Sequence, residues 1–228
     1  EVVLKKYRWE HGSLDNEVIN KRDYYKKQRK AFLNEARILS SLFDIKEVVK
    51  VLDYFEEREN AYIVMEFVQG ISLRQYLESR NQPMSFTEAW NFLLPVMEAL
   101  EKVHQNKLIH RDISPDNFII KEDGSIKLLD FGSAREYAEE KTMTVLVKKG
   151  YAPPEQYSRK GKQGPWTDIY SICATLYEMI TGVIPQPAME RLKADKLYLP
   201  SSYGCDITPL QEKILMKGLA LDYKKRYK

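Results

Sequence analysis

Residues 109–120 read IHRDISPDNFII. Apolar residues flank it on both sides, with Leu108 before it and Phe118 near its end. Between them stand a histidine, an arginine, two aspartates, a serine, a proline and an asparagine. A connection between apolar segments seldom carries so many polar groups, because each buried polar atom needs a hydrogen-bond partner. The stretch therefore indicates a loop with a chemical task.

Oxygen ligands for a hard divalent cation cluster in the same region. Asp112 and Asn117 lie in the loop, and Asp130 follows a hairpin whose turn is KEDG at 121–124. Mg²⁺ binds through a few carboxylate or amide oxygens and keeps substrate phosphates as further ligands. Each residue alone is also a common turn residue. Together, as HRDxxxxN followed by DFG, they form a far more specific pattern.

Composition excludes several classes of protein. The chain has 228 residues, a length sufficient for one large domain or two small lobes. Of these residues, 43% are hydrophobic and 30% are charged. The net charge of +3 does not require nucleic acid or an anionic membrane as a partner. Two cysteines exclude a disulfide framework or a paired-cysteine zinc site and favour a reducing compartment. The most apolar run, 169–180, contains Glu178 and is too short to span a membrane.

Hydrophobic periodicity predicts strands early in the chain and helices late. An amphipathic helix is predicted over 24–43, and strands over 48–55 and 61–68. Later helices are predicted to begin at Ser85 and, after a Thr167 cap, to run to Gly182. This order favours an α+β chain with a small sheet lobe and a larger helical lobe. The apolar face of the first helix is Phe32, Ala36, Leu39 and Phe43.

Glu35 falls on that apolar face and has two interpretations. At the edge of the stripe it would lie in solvent. If it is buried, it needs a cationic partner, because an unpaired buried charge costs several kcal/mol.

HRDISPDN followed by DFG resembles the catalytic loop and metal-binding motif of protein kinases. The resemblance covers nearly the whole chain. EVVLK at 1–5 resembles the strand with the phosphate-pairing lysine, and FLNEARIL at 32–39 the helix whose glutamate pairs with it. YAPPEQY at 151–157 resembles the end of the activation segment. Two further segments, TDIYSICATLYEMITG and ALDYKKRY, resemble the central helix of the large lobe and the closing motif. HRDISPDN and GYAPPEQY are most similar to the bacterial eukaryotic-like serine/threonine kinases.

The resemblance implies a two-lobed, protein-kinase-like α+β fold. Residues 1–67 would form a partial small lobe with the lysine strand, the glutamate helix and two further strands. Residues 68–228 would form the larger, mainly helical lobe and end before its last helix. Because no glycine-rich phosphate loop precedes Lys5, the small lobe is expected to be truncated, and this piece alone is expected to be weakly active or inactive.

The resemblance also assigns site residues. Asp112 would take the proton of the substrate hydroxyl, while Lys5, fixed by Glu35, would hold the α- and β-phosphates. Asn117 and Asp130 would hold Mg²⁺. The implied nucleotide-binding residues are Val3, Lys5, Met65, Glu66, Val68 and Ile119. The implied activation-segment and structural residues are Arg111, Phe131, Gly132, Thr142, Thr144, Glu155, Asp168 and Arg226. Arg226 would pair with Glu155, and a phosphate on Thr142 or Thr144 could pair with Arg111.

Ser114 departs from the kinase pattern. It stands where a serine/threonine kinase usually carries a lysine, whereas Lys148 stands where a threonine usually precedes the final Pro-Glu. We expect that the lysine and the hydroxyl have exchanged places, so that Lys148 faces Asp112 and the transferring phosphate. Lys149 is the competing candidate, and a solvated Lys148 is the alternative.

These roles predict ATP- and Mg²⁺-dependent phosphoryl transfer to serine or threonine hydroxyls of a protein substrate. No nucleic acid partner is expected, and the domain is expected to be cytoplasmic in a parent protein that could be membrane-anchored. One alternative is a pseudokinase that acts as a nucleotide-binding or scaffolding module, which Ser114 and the missing glycine loop favour. A small-molecule phosphotransferase of the aminoglycoside or choline kinase type is less favoured, because those enzymes lack the activation segment.

Overall fold

The computed structural model describes residues 1–6, 29–30, 32–34, 36–58, 60–129, 135–136, 147–158 and 160–227. They form two compact units, Glu1–Val68 and Gln69–Lys228. The division lies one residue after the predicted one. Strands dominate the first unit and helices the second, so the predicted α+β class is confirmed. Among the described residues, no helix is long and apolar enough to cross a membrane.

The first unit contains a three-stranded antiparallel sheet. Its strands are β1 (Val2–Lys6), β2 (Val51–Glu57) and β3 (Asn60–Glu66), in the order β1-β3-β2. Pairing of β1 with β3 places Val3 opposite Met65 and Lys5 opposite Ile63. β2 begins three residues later than predicted and ends two residues later, at Glu57. The pairing partner of each residue, rather than the run of apolar residues, decides where this strand begins and ends.

A helix precedes β2 and covers the described residues 29–30, 32–34 and 36–40 (α1). Ala36 and Leu39 are buried, as the predicted apolar face requires. Phe43 was predicted on the same face, and this prediction is wrong. The helix gives way to a turn after Ser40, so Phe43 leaves the helical register and is 51% exposed. The ammonium of Lys50 lies 4.4 Å from the centre of its ring, a cation–π contact.

Five helices lie in the described part of the second unit. They are α2 (Leu73–Ser79), α3 (Phe86–Gln105), α4 (Pro165–Thr181), α5 (Ala188–Arg191) and α6 (Pro209–Gly218). Ser85 caps α3 by accepting from the Glu88 N–H at 3.2 Å, as predicted. α4 begins at Pro165 rather than after Thr167, because proline suits the first helical position, where its missing N–H costs nothing. It ends at Gly182, which adopts a left-handed φ of 71°.

Short strands position the loop between the helices. β4 (Ile71–Ser72), β6 (Phe118–Ile120) and β7 (Ile126–Leu128) form one antiparallel sheet, and β5 (Leu108–Ile109) pairs with β8 (Arg135–Glu136). The predicted Asp-Gly turn connects β6 to β7, with Gly124 at a φ of 78°. Single 3₁₀ turns cover Pro115–Asn117, Pro154–Tyr157, Pro200–Tyr203 and Tyr223–Lys225. The polar loop thus runs from β5 to β6 through the first of these turns.

Gly218 lets α6 approach α4 closely. A Cβ added to Gly218 would lie 2.2 Å from the sulfur of Cys173, closer than atoms can pack. We expect Gly218→Ala to lower the free energy of unfolding by about 1–3 kcal/mol, the usual cost of overpacking. Urea unfolding measures this loss. The double variant with Cys173→Ala removes the obstructing sulfur and should regain most of the stability; a double variant no more stable than Gly218→Ala would contradict this account.

Candidate active site

The loop from His110 to Asn117 is held by a buried carboxylate of α4. Asp168 accepts the backbone N–H of His110 through Oδ2 and that of Arg111 through Oδ1, each at 2.8 Å. Its Oδ2 also bonds Nε2 of His104 at 2.8 Å. Burial by itself would raise the pKa of the fully buried Asp168 carboxyl, but the bonds from His104 and the Arg111 N–H hold it below its ordinary value. Asp168 is therefore an anion that orients the loop backbone.

Arg111 adopts a backbone conformation that needs such support. Its φ of 71° lies in the left-handed region, which is strained for a residue with a side chain. The Asp168 bond holds its N–H, and the Gln156 side chain donates to its carbonyl at 2.6 Å. Hydrogen bonds thus hold the peptide groups on both sides of Arg111, and they fix the backbone position of the next residue, Asp112.

His110 joins the loop to the following hairpin. Its Nδ1 accepts the Asp112 N–H at 3.2 Å, and its Nε2 lies 2.9 Å from the Leu129 carbonyl oxygen. Since a carbonyl only accepts and an N–H only donates, these two bonds require the neutral ring with its proton on Nε2. His110 is completely buried. It serves as a satisfied core histidine beneath the loop.

The structure brings together two of the predicted site residues, Asp112 and Asn117. The amide nitrogen of Asn117 donates to the Asp112 carbonyl at 2.6 Å and to Asp112 Oδ2 at 3.0 Å. Asp112 is only partly buried, whereas Arg111 and Ile113 on either side are buried. The carboxylate is therefore presented by a rigid loop, with one of its oxygens already oriented by Asn117.

Asn117 is suited to a magnesium ion by its own hydrogen bonds. Because its amide nitrogen is turned toward Asp112, its amide oxygen is the atom left to act as a ligand, and Mg²⁺ prefers such oxygens. The other predicted ligand, Asp130, lies outside the described residues. Within the part of the chain that the structure describes, no group of three or more His, Cys, Asp or Glu side chains could hold a metal.

Lys148 reaches the loop from the segment that precedes the Pro-Pro-Glu sequence. Its Nζ donates to the hydroxyl of Ser114 at 2.9 Å and forms an ion pair with Asp116. Arg74 lies near the same Asp116, with 3.9 Å between Nε and Oδ1. The structure thus places Lys148 in contact with Ser114, the loop residue that departs from the kinase pattern.

Glu155 and Arg226 form a buried ion pair, the pairing that the resemblance implied. The guanidinium makes two parallel bonds to the carboxylate, at 2.7 and 3.1 Å, and neither side chain is more than 5% exposed. Thr167 donates a further bond to Glu155 Oε1 at 3.1 Å. Arg226 also bonds the carbonyls of Ala220, Trp166 and Leu221. This pair ties the chain after α6 to the segment just after Pro153.

The remaining predicted residues divide between the two units. In the first unit, Lys5 is half-buried on β1, and the cross-strand pair Val3 and Met65 lies on the same sheet. Glu66 donates its backbone N–H to the Lys50 carbonyl at 3.0 Å. In the second unit, Ile119 is half-buried on β6, opposite Lys127. Predicted residues that lie outside the described part of the chain are Glu35, Asp130, Phe131, Gly132, Thr142 and Thr144.

Several residues of the site were missed from the sequence. Arg74, Tyr151 and Glu178 form a hydrogen-bonded cluster that holds the segment next to Lys148. Burial and the neighbouring Glu178 raise the pKa of the Tyr151 phenol, so it stays protonated. Glu178 is detectable in the sequence as a charged residue within the apolar run 169–180. Its partner Arg74 is not, because it lies 104 residues away along the chain. Gln156 gave a weaker signal, as a polar residue directly after the Pro-Glu sequence.

Comparison with known proteins assigns the family. The protein kinase domain family matches residues 13–212. The chain therefore belongs to the protein kinase family, as the loop motifs predicted. A solved structure titled "PpkA-294 apo form" is similar, with a TM-score of 0.74 and 30% identity over 94% of this chain and 75% of that chain. The predicted kinase-like fold is thus confirmed.

Curated relatives are bacterial serine/threonine kinases, which confirms the predicted subgroup. Serine/threonine-protein kinase PrkC of Bacillus subtilis (strain 168) is 34% identical over the whole of this chain and 34% of its own length. Serine/threonine-protein kinase PknL of Mycobacterium tuberculosis is 35% identical over 72% of this chain and 43% of its own length. The chain spans between about a third and two fifths of the length of these relatives.

Proposed function

We propose that the chain transfers the γ-phosphoryl group of ATP to serine or threonine hydroxyls of a protein substrate, with Mg²⁺ as cofactor. The observation that carries the proposal is the Asp112–Asn117 pair on a loop anchored by the buried Asp168. A base for a hydroxyl must be accessible, ionised and held in place. The names of the curated relatives support serine and threonine as the acceptors.

Among the described contacts, one Asp112 carboxylate oxygen is left for the substrate hydroxyl. Asn117 donates to Oδ2, which directs Oδ1 to the incoming group. In the reaction, the hydroxyl proton moves to the Asp112 carboxylate while the hydroxyl oxygen forms a bond to the γ-phosphorus. The bond between that phosphorus and the bridging oxygen breaks, and ADP leaves with the electron pair. Since the transition state involves little covalent chemistry by the protein, positioning and charge account for most of the rate enhancement.

The family assignment supports a set of proposed nucleotide contacts. Lys5 on β1 is proposed to hold the α- and β-phosphates, with Val3 and Met65 as apolar neighbours of the base. The Glu66 N–H donates to the Lys50 carbonyl, and the Glu66 carbonyl is proposed to accept a hydrogen bond from adenine. Val68 and Ile119 complete the proposed set. A magnesium ion held by Asn117 and Asp130 would neutralise phosphate charge.

A transfer assay tests this function. The full-length protein is incubated with γ-labelled ATP, Mg²⁺ and myelin basic protein as a generic acceptor, and the labelled protein is hydrolysed to its amino acids. We expect label on phosphoserine and phosphothreonine, and loss of labelling when EDTA removes the metal. A folded protein that binds ATP and transfers no label would be a pseudokinase, and the proposal would be wrong.

A further inference from the structure

The Lys148 ammonium contacts Ser114, a buried residue of the candidate catalytic loop. Ser114 is completely buried, and its hydroxyl receives the Lys148 ammonium at 2.9 Å. The ammonium therefore contacts two residues of the loop, the buried Ser114 and the exposed Asp116. The neighbouring Lys149 is exposed. Two adjacent lysines of equal charge thus occupy different environments, and only Lys148 contacts the loop through a described bond.

The turn that receives Lys148 is also the turn that orients Asp112. The Ser114 carbonyl accepts the Asn117 N–H at 2.9 Å, and the Asn117 amide donates to the Asp112 carboxylate at 3.0 Å. These two bonds tie the position of Ser114 to that of the proposed base. An ammonium bound to Ser114 is consequently held at a defined place relative to the hydroxyl that Asp112 would deprotonate.

We propose that Lys148 supplies the positive charge that contacts the γ-phosphoryl group during transfer, with Ser114 as its partner on the loop. This inference rests on the proposed function. The transferring group spreads negative charge over three oxygens, so a cation that is already in place stabilises the transition state without reorganisation. Lysine suits the task, because its flexible four-carbon stem carries a compact charge from one segment to a loop formed by another.

A plain surface ion pair is the competing explanation, and it predicts a different pattern of variants. Lys148 and Asp116 are 36% and 43% exposed, and an exposed pair of this kind contributes little to stability. If the pair matters only for stability, Lys148→Met and Asp116→Asn should have equal effects, because each breaks the same interaction. If Lys148 contacts phosphate, Asp116→Asn leaves the ammonium on Ser114, whereas Lys148→Met removes it.

The experiment compares four forms of the full-length protein: wild type, Lys148→Met, Asp116→Asn and Lys149→Met. The kcat and the KM for ATP are measured with myelin basic protein, and the urea midpoint is measured for each form. We expect Lys148→Met to lower kcat by about 10²–10³-fold, the usual effect of removing one preorganised charge-stabilising group. Asp116→Asn should keep most of the wild-type kcat, and Lys149→Met should leave it unchanged. The urea midpoints of Lys148→Met and Asp116→Asn should agree.

The outcomes separate this inference from the proposed function. Equal kcat values for Lys148→Met and Asp116→Asn would overturn the role of Lys148 alone, provided that the wild type transfers phosphate. A wild type without transfer would overturn the proposed function and the role of Lys148 with it. If the urea midpoint of Lys148→Met is lower than that of Asp116→Asn, the kcat of Lys148→Arg distinguishes a lost charge from lost stability. An arginine that restores kcat supports the inference, and one as inactive as Lys148→Met overturns it.

Discussion

Replacing Asp112 with asparagine should lower the kcat of phosphoryl transfer by about 10²–10⁴-fold, the range that a positioned acid–base group contributes. Asparagine has nearly the same shape, so the bond from Asn117 and the backbone N–H bond to His110 can persist, but it cannot take a proton. We therefore expect little change in the KM for ATP or in the urea midpoint. Steady-state kinetics with γ-labelled ATP measure the loss.

Asp123→Asn is a matched control for Asp112→Asn. Asp123 is an exposed aspartate in the turn between β6 and β7, where it bonds Ser125 and Lys121. Those contacts hold the Asp123 pKa at about 2, so this control also removes a charge that is present at neutral pH. Near-normal transfer by Asp112→Asn would show that another group accepts the proton, and the assignment of Asp112 would be wrong.

Replacing Arg226 with methionine should lower the free energy of unfolding by about 3–5 kcal/mol, because breaking a buried ion pair leaves an uncompensated charge. The charge left without its partner is the Glu155 carboxylate, whose side chain is 5% exposed. Such a loss is a large share of the roughly 5–15 kcal/mol that stabilises a domain. Urea unfolding followed by circular dichroism measures it.

Two further variants make this prediction specific. Lys225→Met removes a positive charge from the adjacent, exposed position and should change stability by less than about 0.5 kcal/mol. The double variant Glu155→Leu with Arg226→Met removes both charges and should be more stable than Arg226→Met, because apolar pairs can replace buried ion pairs. A Lys225→Met variant as unstable as Arg226→Met would argue against a specific role of the buried pair.

The site shows where local pattern suffices and where it fails. The HRDxxxxN spacing is enough to predict that Asp112 and Asn117 belong to one loop, because only four residues separate them. By contrast, no local pattern relates Arg74 to Glu178 or Gln156 to Arg111. Each of these pairs joins separate elements of the second unit, and their distance along the chain leaves no periodic signal. Phe43 shows the opposite error, because a periodic pattern was extended beyond the residue at which the helix ends.

Residue type, spacing and hydrophobic period within short segments were enough to predict the family, the α+β class and the proposed catalytic residues of the loop at 110–117. The partners that hold that loop in place became clear from the three-dimensional structure alone. Asp168 and Gln156 anchor the strained backbone at Arg111 from two different elements, and Lys148 reaches Ser114 across 34 residues of chain. The physical reason is that buried polar groups must be satisfied by whatever neighbours packing supplies. Those neighbours are set by the meeting of helices, strands and loops rather than by adjacency in the sequence.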